Sequence, residues 1–156
     1  MKVKEIMTTD VTPCDLNANL AVAAQAMWEH DCGVLPVLKD GRELVGLITD
    51  RDICMGTATR DRHPSQISVE EVMSGQVYSV QPEDDLQLAL EAMQRHKIRR
   101  LPVVDSEGEL KGLLSINDLV LNAKEQKSDL SYGVVIKTLQ AIGQHWTPIA
   151  AAATNK

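Results

Sequence analysis

Residues 46–52 read Gly-Leu-Ile-Thr-Asp-Arg-Asp and residues 112–118 read Gly-Leu-Leu-Ser-Ile-Asn-Asp, so the pattern Gly-x-x-Ser/Thr-x-x-Asp occurs twice at an offset of 66 residues. The same offset superimposes the flanking sequence. Val3-Lys4-Glu5-Ile6-Met7 falls on Val69-Glu70-Glu71-Val72-Met73, Leu20 on Leu86, Ala23 on Ala89, Met27 on Met93 and His30 on His96. Leu35-Pro36-Val37 falls on Leu101-Pro102-Val103, and Glu43-Leu44 on Glu109-Leu110. Agreement over this length at one offset, with no gap, identifies a tandem duplication.

Each copy carries the same plan. A short extended lead (Asp10–Cys14; Gln76–Val80) precedes a helix whose apolar residues recur at i, i+3, i+4 and i+7: Leu20, Ala23, Ala24, Met27 in the first copy and Leu86, Ala89, Leu90, Met93 in the second. Asn17 or Asn19, and Asp84 or Asp85, are the candidate caps. Two apolar runs follow, Val34–Leu38 and Leu44–Ile48 around a turn with Asp40-Gly41, then Leu101–Val104 and Leu110–Leu114 around Asp105–Gly108. A second helix opens at Thr49 and at Ser115. The fold class is therefore α+β, two tandem β-α-β-β-α units, residues 1–62 and 63–124, followed by a C-terminal helix and tail, residues 125–156.

Thr57–Ser68 is polar with Pro64 and reads as a linker between the copies. In the last segment Tyr132, Val135, Ile136, Leu139, Ile142, Gly143 and Trp146 share one helical face, read as core or as a docking face; Pro148 ends the helix and 150–156 frays.

Composition bounds the function. In 156 residues, 44% hydrophobic and 24% charged residues are ordinary for a globular chain able to bury a core. Aromatics are 3% with no Phe, which leaves the core to Leu, Val, Ile, Met and Ala. The formal charge of −6 supplies no general attraction to nucleic acid or anionic lipid, so neither is expected as a partner. Cys14, Cys32 and Cys54 are odd in number and widely spaced, which reads as reduced thiols, neither a disulfide framework nor a metal site. No apolar run suits a signal peptide or a membrane span, so the expected compartment is cytoplasmic.

Catalytic signatures are lacking: the sequence has no nucleophile elbow, P-loop, HExxH or GxGxxG, and an enzyme is not expected. His30 and His96 occupy one repeat position at a helix C-terminus, where a polar cap is favourable. The doubled motif admits two compatible readings. As a capping box, the hydroxyl caps the helix and the acid three residues on returns to the cap's N–H. As a binding element, the same helix N-terminus offers free N–H groups to a phosphate, and the carboxylate accepts from ribose hydroxyls.

The duplicated unit, the helix ending before a Leu-Pro-Val strand and the doubled Gly-x-x-Ser/Thr-x-x-Asp together resemble a tandem cystathionine-β-synthase (CBS) domain pair, or Bateman module, over roughly residues 2–122. The resemblance implies a pseudo-two-fold pair with two clefts between the repeats, each able to take an adenosine-containing ligand: AMP, ADP, ATP, S-adenosylmethionine or NAD. It implies a freestanding regulatory module, with no cofactor required, that pairs as a homodimer and acts on an unidentified protein target. By position, Asp52 and Asp118 take the ribose hydroxyls, and Thr49 and Ser115 the phosphate or ribose edge. Ser79, Ile98 and Arg99 line the Asp52 cleft; Pro13, Cys32, Gly33 and Arg100 line the Asp118 cleft. Arg99 and Arg100 stand where related modules place phosphate-contacting side chains. Pro13 replaces the hydroxyl of Ser79, and Val34 the cation of Arg100, so the clefts are unequal. The competing expectation is a ligand-free homodimeric scaffold whose motifs serve only as caps.

Overall fold

The computed structural model describes residues 1–125 and 129–144. The readings of Trp146, Pro148 and the 150–156 tail lie outside the described residues.

The first repeat contains β1 (Cys14–Asp15), α1 (Leu20–Glu29), β2 (Val34–Lys39), β3 (Glu43–Thr49) and α2 (Asp50–Arg60). The second contains α3 (Leu86–His96), β4 (Arg100–Val104), β5 (Leu110–Ser115) and α4 (Ile116–Asn122), and α5 (Tyr132–Gly143) follows. β2 pairs antiparallel with β3, and β4 with β5, in corresponding registers: Val34 opposes Thr49, and Arg100 opposes Ser115. Even the irregularity repeats, between Val37 and Leu38 and between Val103 and Val104. β1 joins β2 in parallel, whereas the second lead contributes only a single bridge from Val80 to Val103.

Local chemistry explains the boundaries. Asn19 caps α1, accepting from the Val22 N–H at 3.1 Å. Asp85 stands at the start of α3 without capping it, because its carboxylate pairs with Lys2 Nζ at 2.8 Å. The first hairpin turns through Asp40 and Gly41 at φ 51° and 71°, the left-handed pair that matches strand twist. In the segment read as a linker, Thr57–Arg60 is the last turn of α2, and Asp61 stops the helix at φ 48°. Ile67 is fully buried and accepts from the Leu20 N–H at 3.0 Å. Polar composition hid one apolar anchor, and that anchor makes Thr57–Ser68 part of the fold.

The segments that precede the leads cross between repeats. Val3 and Ile6 lie in the core of the second repeat with Leu86, Leu90, Met93 and Leu114. Val3 N–H donates to the Asp84 carbonyl at 3.0 Å, and Thr8 and Leu113 exchange two backbone bonds of 2.9 Å. Reciprocally, Ile67 and Val69 lie in the core of the first repeat, and Ser74 pairs with Leu47. Each repeat is completed by the segment that precedes the other's lead, which fixes the two halves as a pseudo-symmetric pair.

α5 packs across α3 and α4. Its apolar residues divide between two faces. Val135, Thr138 and Ile142 are buried against the second repeat, while Tyr132, Ile136 and Leu139 point to solvent.

Candidate functional site

Both motifs close full capping boxes. Thr49 Oγ1 accepts from the Asp52 N–H at 3.2 Å, while Asp52 Oδ2 accepts from the Thr49 N–H at 2.9 Å and from its hydroxyl at 2.7 Å. Ser115 and Asp118 repeat the arrangement at 3.3, 2.7 and 2.6 Å. Each box uses Oδ2 alone. Among the described residues Asp52 Oδ1 accepts from no protein donor, whereas Asp118 Oδ1 accepts from Thr8 Oγ1 at 3.1 Å. A carboxylate offers about four lone-pair sites, so capping and a further donor are compatible. Both carboxylates are partly buried at the wall of a cleft.

The Asp52 cleft measures about 850 Å³. It brings together Thr49, Asp52, Ile98, Arg99 and Arg100, with Tyr78, His96 and Lys97 from the second repeat and Ile142 from α5. Four cations, Arg51, Lys97, Arg99 and Arg100, face two carboxylates, Asp50 and Asp52. Among the described residues, no ion pair occupies any of the four cations. His96 stacks on Tyr78 at 3.6 Å between ring centroids, an aromatic floor in a chain poor in aromatics.

The Asp118 cleft is smaller, about 330 Å³, and its charge is reversed: Asp10, Asp31 and Asp118 against Arg100. Cys32, Gly33 and Ser115 lie on its wall. Val34 and Arg100, at the same repeat position, border both clefts, so Arg100 is shared and does not belong to one alone.

Ser79 and Pro13 do not line the clefts; Tyr78 and Thr12 do. Along extended backbone successive side chains point to opposite sides, so a one-residue shift decides which of them reaches the cavity. Val80 and Cys14, buried in the cores, set that parity, and Ser79 and Pro13 are exposed. His30 and His96, read only as helix-end residues, also border the Asp118 and Asp52 clefts. Their shared repeat position, next to the chain entering β2 and β4, was the available signal. Ile142 had none, because periodicity does not tell where α5 docks.

The family model for the CBS domain matches residues 3–56 and 69–125, and the chain belongs to that family as a tandem pair. It is 39% identical over 126 residues to the CBS domain-containing protein YhcV of Bacillus subtilis, covering 81% of this chain and 88% of YhcV. The crystal structure of Hypoxic Response Protein I with two coordinated zinc ions superimposes with a TM-score of 0.71 at 31% identity, over 80% of this chain and all of that one. The CBS domain pair of protein MJ0100, in complex with 5′-methylthioadenosine and S-adenosyl-L-methionine, shares the fold with a TM-score of 0.69 at 23% identity, over 78% and 94% of the two chains. Among the described residues of this chain, no three His, Cys, Asp or Glu side chains are grouped to hold a metal ion. Among the described residues no helix is long and apolar enough to cross a membrane.

Proposed function

We propose that the chain is a cytoplasmic regulatory module that binds an adenosine-containing nucleotide in the Asp52 cleft and reports occupancy through the position of α5. The carrying observation is the set of four cations that have no ionic partner among the described residues and face a cleft of about 850 Å³, within the size range of small-molecule sites. Asp52 Oδ1 is open to the ribose hydroxyls. Arg99 and Arg100 draw the phosphates by charge-assisted hydrogen bonds. Tyr78 and Ile98 supply apolar surface for the base.

The Asp118 cleft suits a different occupant. Its three carboxylates repel phosphate, and α4 has only 7 residues. It favours an adenosyl ligand without phosphate, the class that the MJ0100 pair holds as 5′-methylthioadenosine and S-adenosyl-L-methionine. The repeats, residues 1–62 and 63–124, act together because each cleft draws residues from both. Nothing in this role needs bond-making, so the module binds and does not catalyse.

The closed capping boxes favour one alternative, a homodimeric scaffold with empty clefts. A thermal-shift panel with adenosine, AMP, ADP, ATP, S-adenosylmethionine and NAD separates the two readings. A ligand at about 100 times its dissociation constant adds roughly 2.7 kcal/mol, or about 5–10 °C in Tm for a chain this size. The sensor reading expects such a shift for a phosphorylated adenosine compound, abolished in Asp52→Ala. A flat panel on protein verified free of co-purified nucleotide supports the scaffold.

A further inference from the structure

We propose that the open groove between α1 and α2 receives α5 of a second copy of this chain, so that two copies clasp each other reciprocally. The inference comes from the internal symmetry of the fold and does not depend on the nucleotide reading.

In the second repeat, α5 covers the surface formed by α3 and α4. Leu90, Met93 and Leu119 are 1%, 0% and 0% exposed and share a core with Val135 and Ile142 of α5. Gln94 Nε2 ties the pair by donating to Thr138 Oγ1 at 2.8 Å. Shifted by 66 residues, the same surface in the first repeat consists of Ala24, Met27 and Ile53, with Trp28 in place of Gln94. Among the described residues no helix covers it. It is a groove of about 540 Å³, lined by these side chains, and Trp28 is 87% exposed.

α5 supplies the complementary surface. Its face toward the second repeat is used, yet Tyr132, Ile136 and Leu139, spaced i, i+4 and i+7, remain 53%, 54% and 38% exposed. One chain thus carries a groove that no helix covers among the described residues and a helix with an exposed apolar ridge. Its own α5 is already seated on the second repeat, so an α5 for the first must come from another copy. A two-fold pair uses each surface twice and closes on itself. Trp28 and Tyr132 are the residue types that carry binding energy at such contacts.

Sedimentation velocity on the full chain tests this with Trp28→Glu, Ile136→Glu and their equimolar mixture. The wild-type chain is expected to be a dimer. Each variant alone should raise the dimer dissociation constant about 30-fold or more. The mixture should regain dimer, because the Trp28→Glu chain keeps a sound α5 and the Ile136→Glu chain a sound groove. A wild-type monomer at high concentration, an effect of only one variant, or a mixture no better than its components overturns the proposal. Both positions are exposed, and thermal melts verify folding; if either variant melts early, Trp28→Ser and Tyr132→Lys take their places.

Discussion

Gln94 on α3 donates to the hydroxyl of Thr138 on α5 at 2.8 Å, and that hydroxyl, itself fully buried, donates to the Val134 carbonyl at 2.9 Å. The first bond fastens α5 to α3, the second lies within α5, and Lys97 Nζ adds a bond to the Gln144 carbonyl at the helix end. Thr138→Val keeps the shape and removes both bonds, leaving the Gln94 amide without that acceptor. The expected cost is about 1–3 kcal/mol, a fall in Tm of roughly 2–10 °C. A melt indistinguishable from wild type would show that apolar packing alone holds α5.

Gly112 is a position where a side chain has no room. A Cβ there would lie 2.5 Å from the Thr8 carbonyl oxygen, the atom that accepts from the Leu113 N–H. Gly112→Ala should therefore cost about 1–3 kcal/mol by forcing the crossed segment around Thr8 away, and amide exchange at Leu113 should accelerate. Gly75→Ala, with no atom within 4 Å of its Cβ, is the control expected to change stability little.

The three thiols should label in a set order. Cys54 is exposed and Cys32 partly buried, whereas burial, reinforced by Asp15, pushes the Cys14 thiol above its ordinary range. At pH 8 a disulfide reagent should therefore modify Cys54 first and Cys14 last, since the thiolate is the reactive form. Rapid labelling of Cys14 in the folded protein would contradict its burial in β1, beside β2.

Acid should destabilise the chain through three carboxylates. Lys2 holds Asp85, Lys111 holds Asp105, and the Ser68 N–H with Arg62 holds Glu71 below the usual carboxylate range. For groups depressed by folding, stability is fully present above the unfolded values near 4 and is lost as pH falls through the lower folded ones. Tm should be flat around neutrality and decline below about pH 4, with a shallower decline in Asp105→Asn and Asp85→Asn. An acid limb unchanged by either substitution would assign it to other groups.

The fold was legible because duplication doubles every local signal. Thr49 and Ser115 cap helices as their spacing requires, and the hairpin register follows from alternating apolar residues in both copies. What sequence could not show depends on long-range packing. Val3 reads as the start of repeat one yet lies in the core of repeat two, a fact held only in three dimensions. Ile67 sits alone in a polar segment, so neither period nor composition marks it. At the clefts, residue types could be carried across by position, but a parity shift of one residue exchanged Ser79 for Tyr78 and Pro13 for Thr12. Arg100 could be placed on a cleft wall, but not on the walls of both.

Arg99 and Arg100 should distinguish ligands by phosphate content. Calorimetric titration with ATP and with adenosine, on wild type and on Arg99→Ala/Arg100→Ala, separates phosphate recognition from recognition of the nucleoside. Wild type should bind ATP more tightly than adenosine, and the double variant should lose about tenfold or more in ATP affinity while adenosine affinity is retained, since charge-assisted bonds contribute about 1.5–3 kcal/mol each. Equal losses for both ligands, or no binding of either by the wild-type chain, would contradict phosphate recognition by the two arginines.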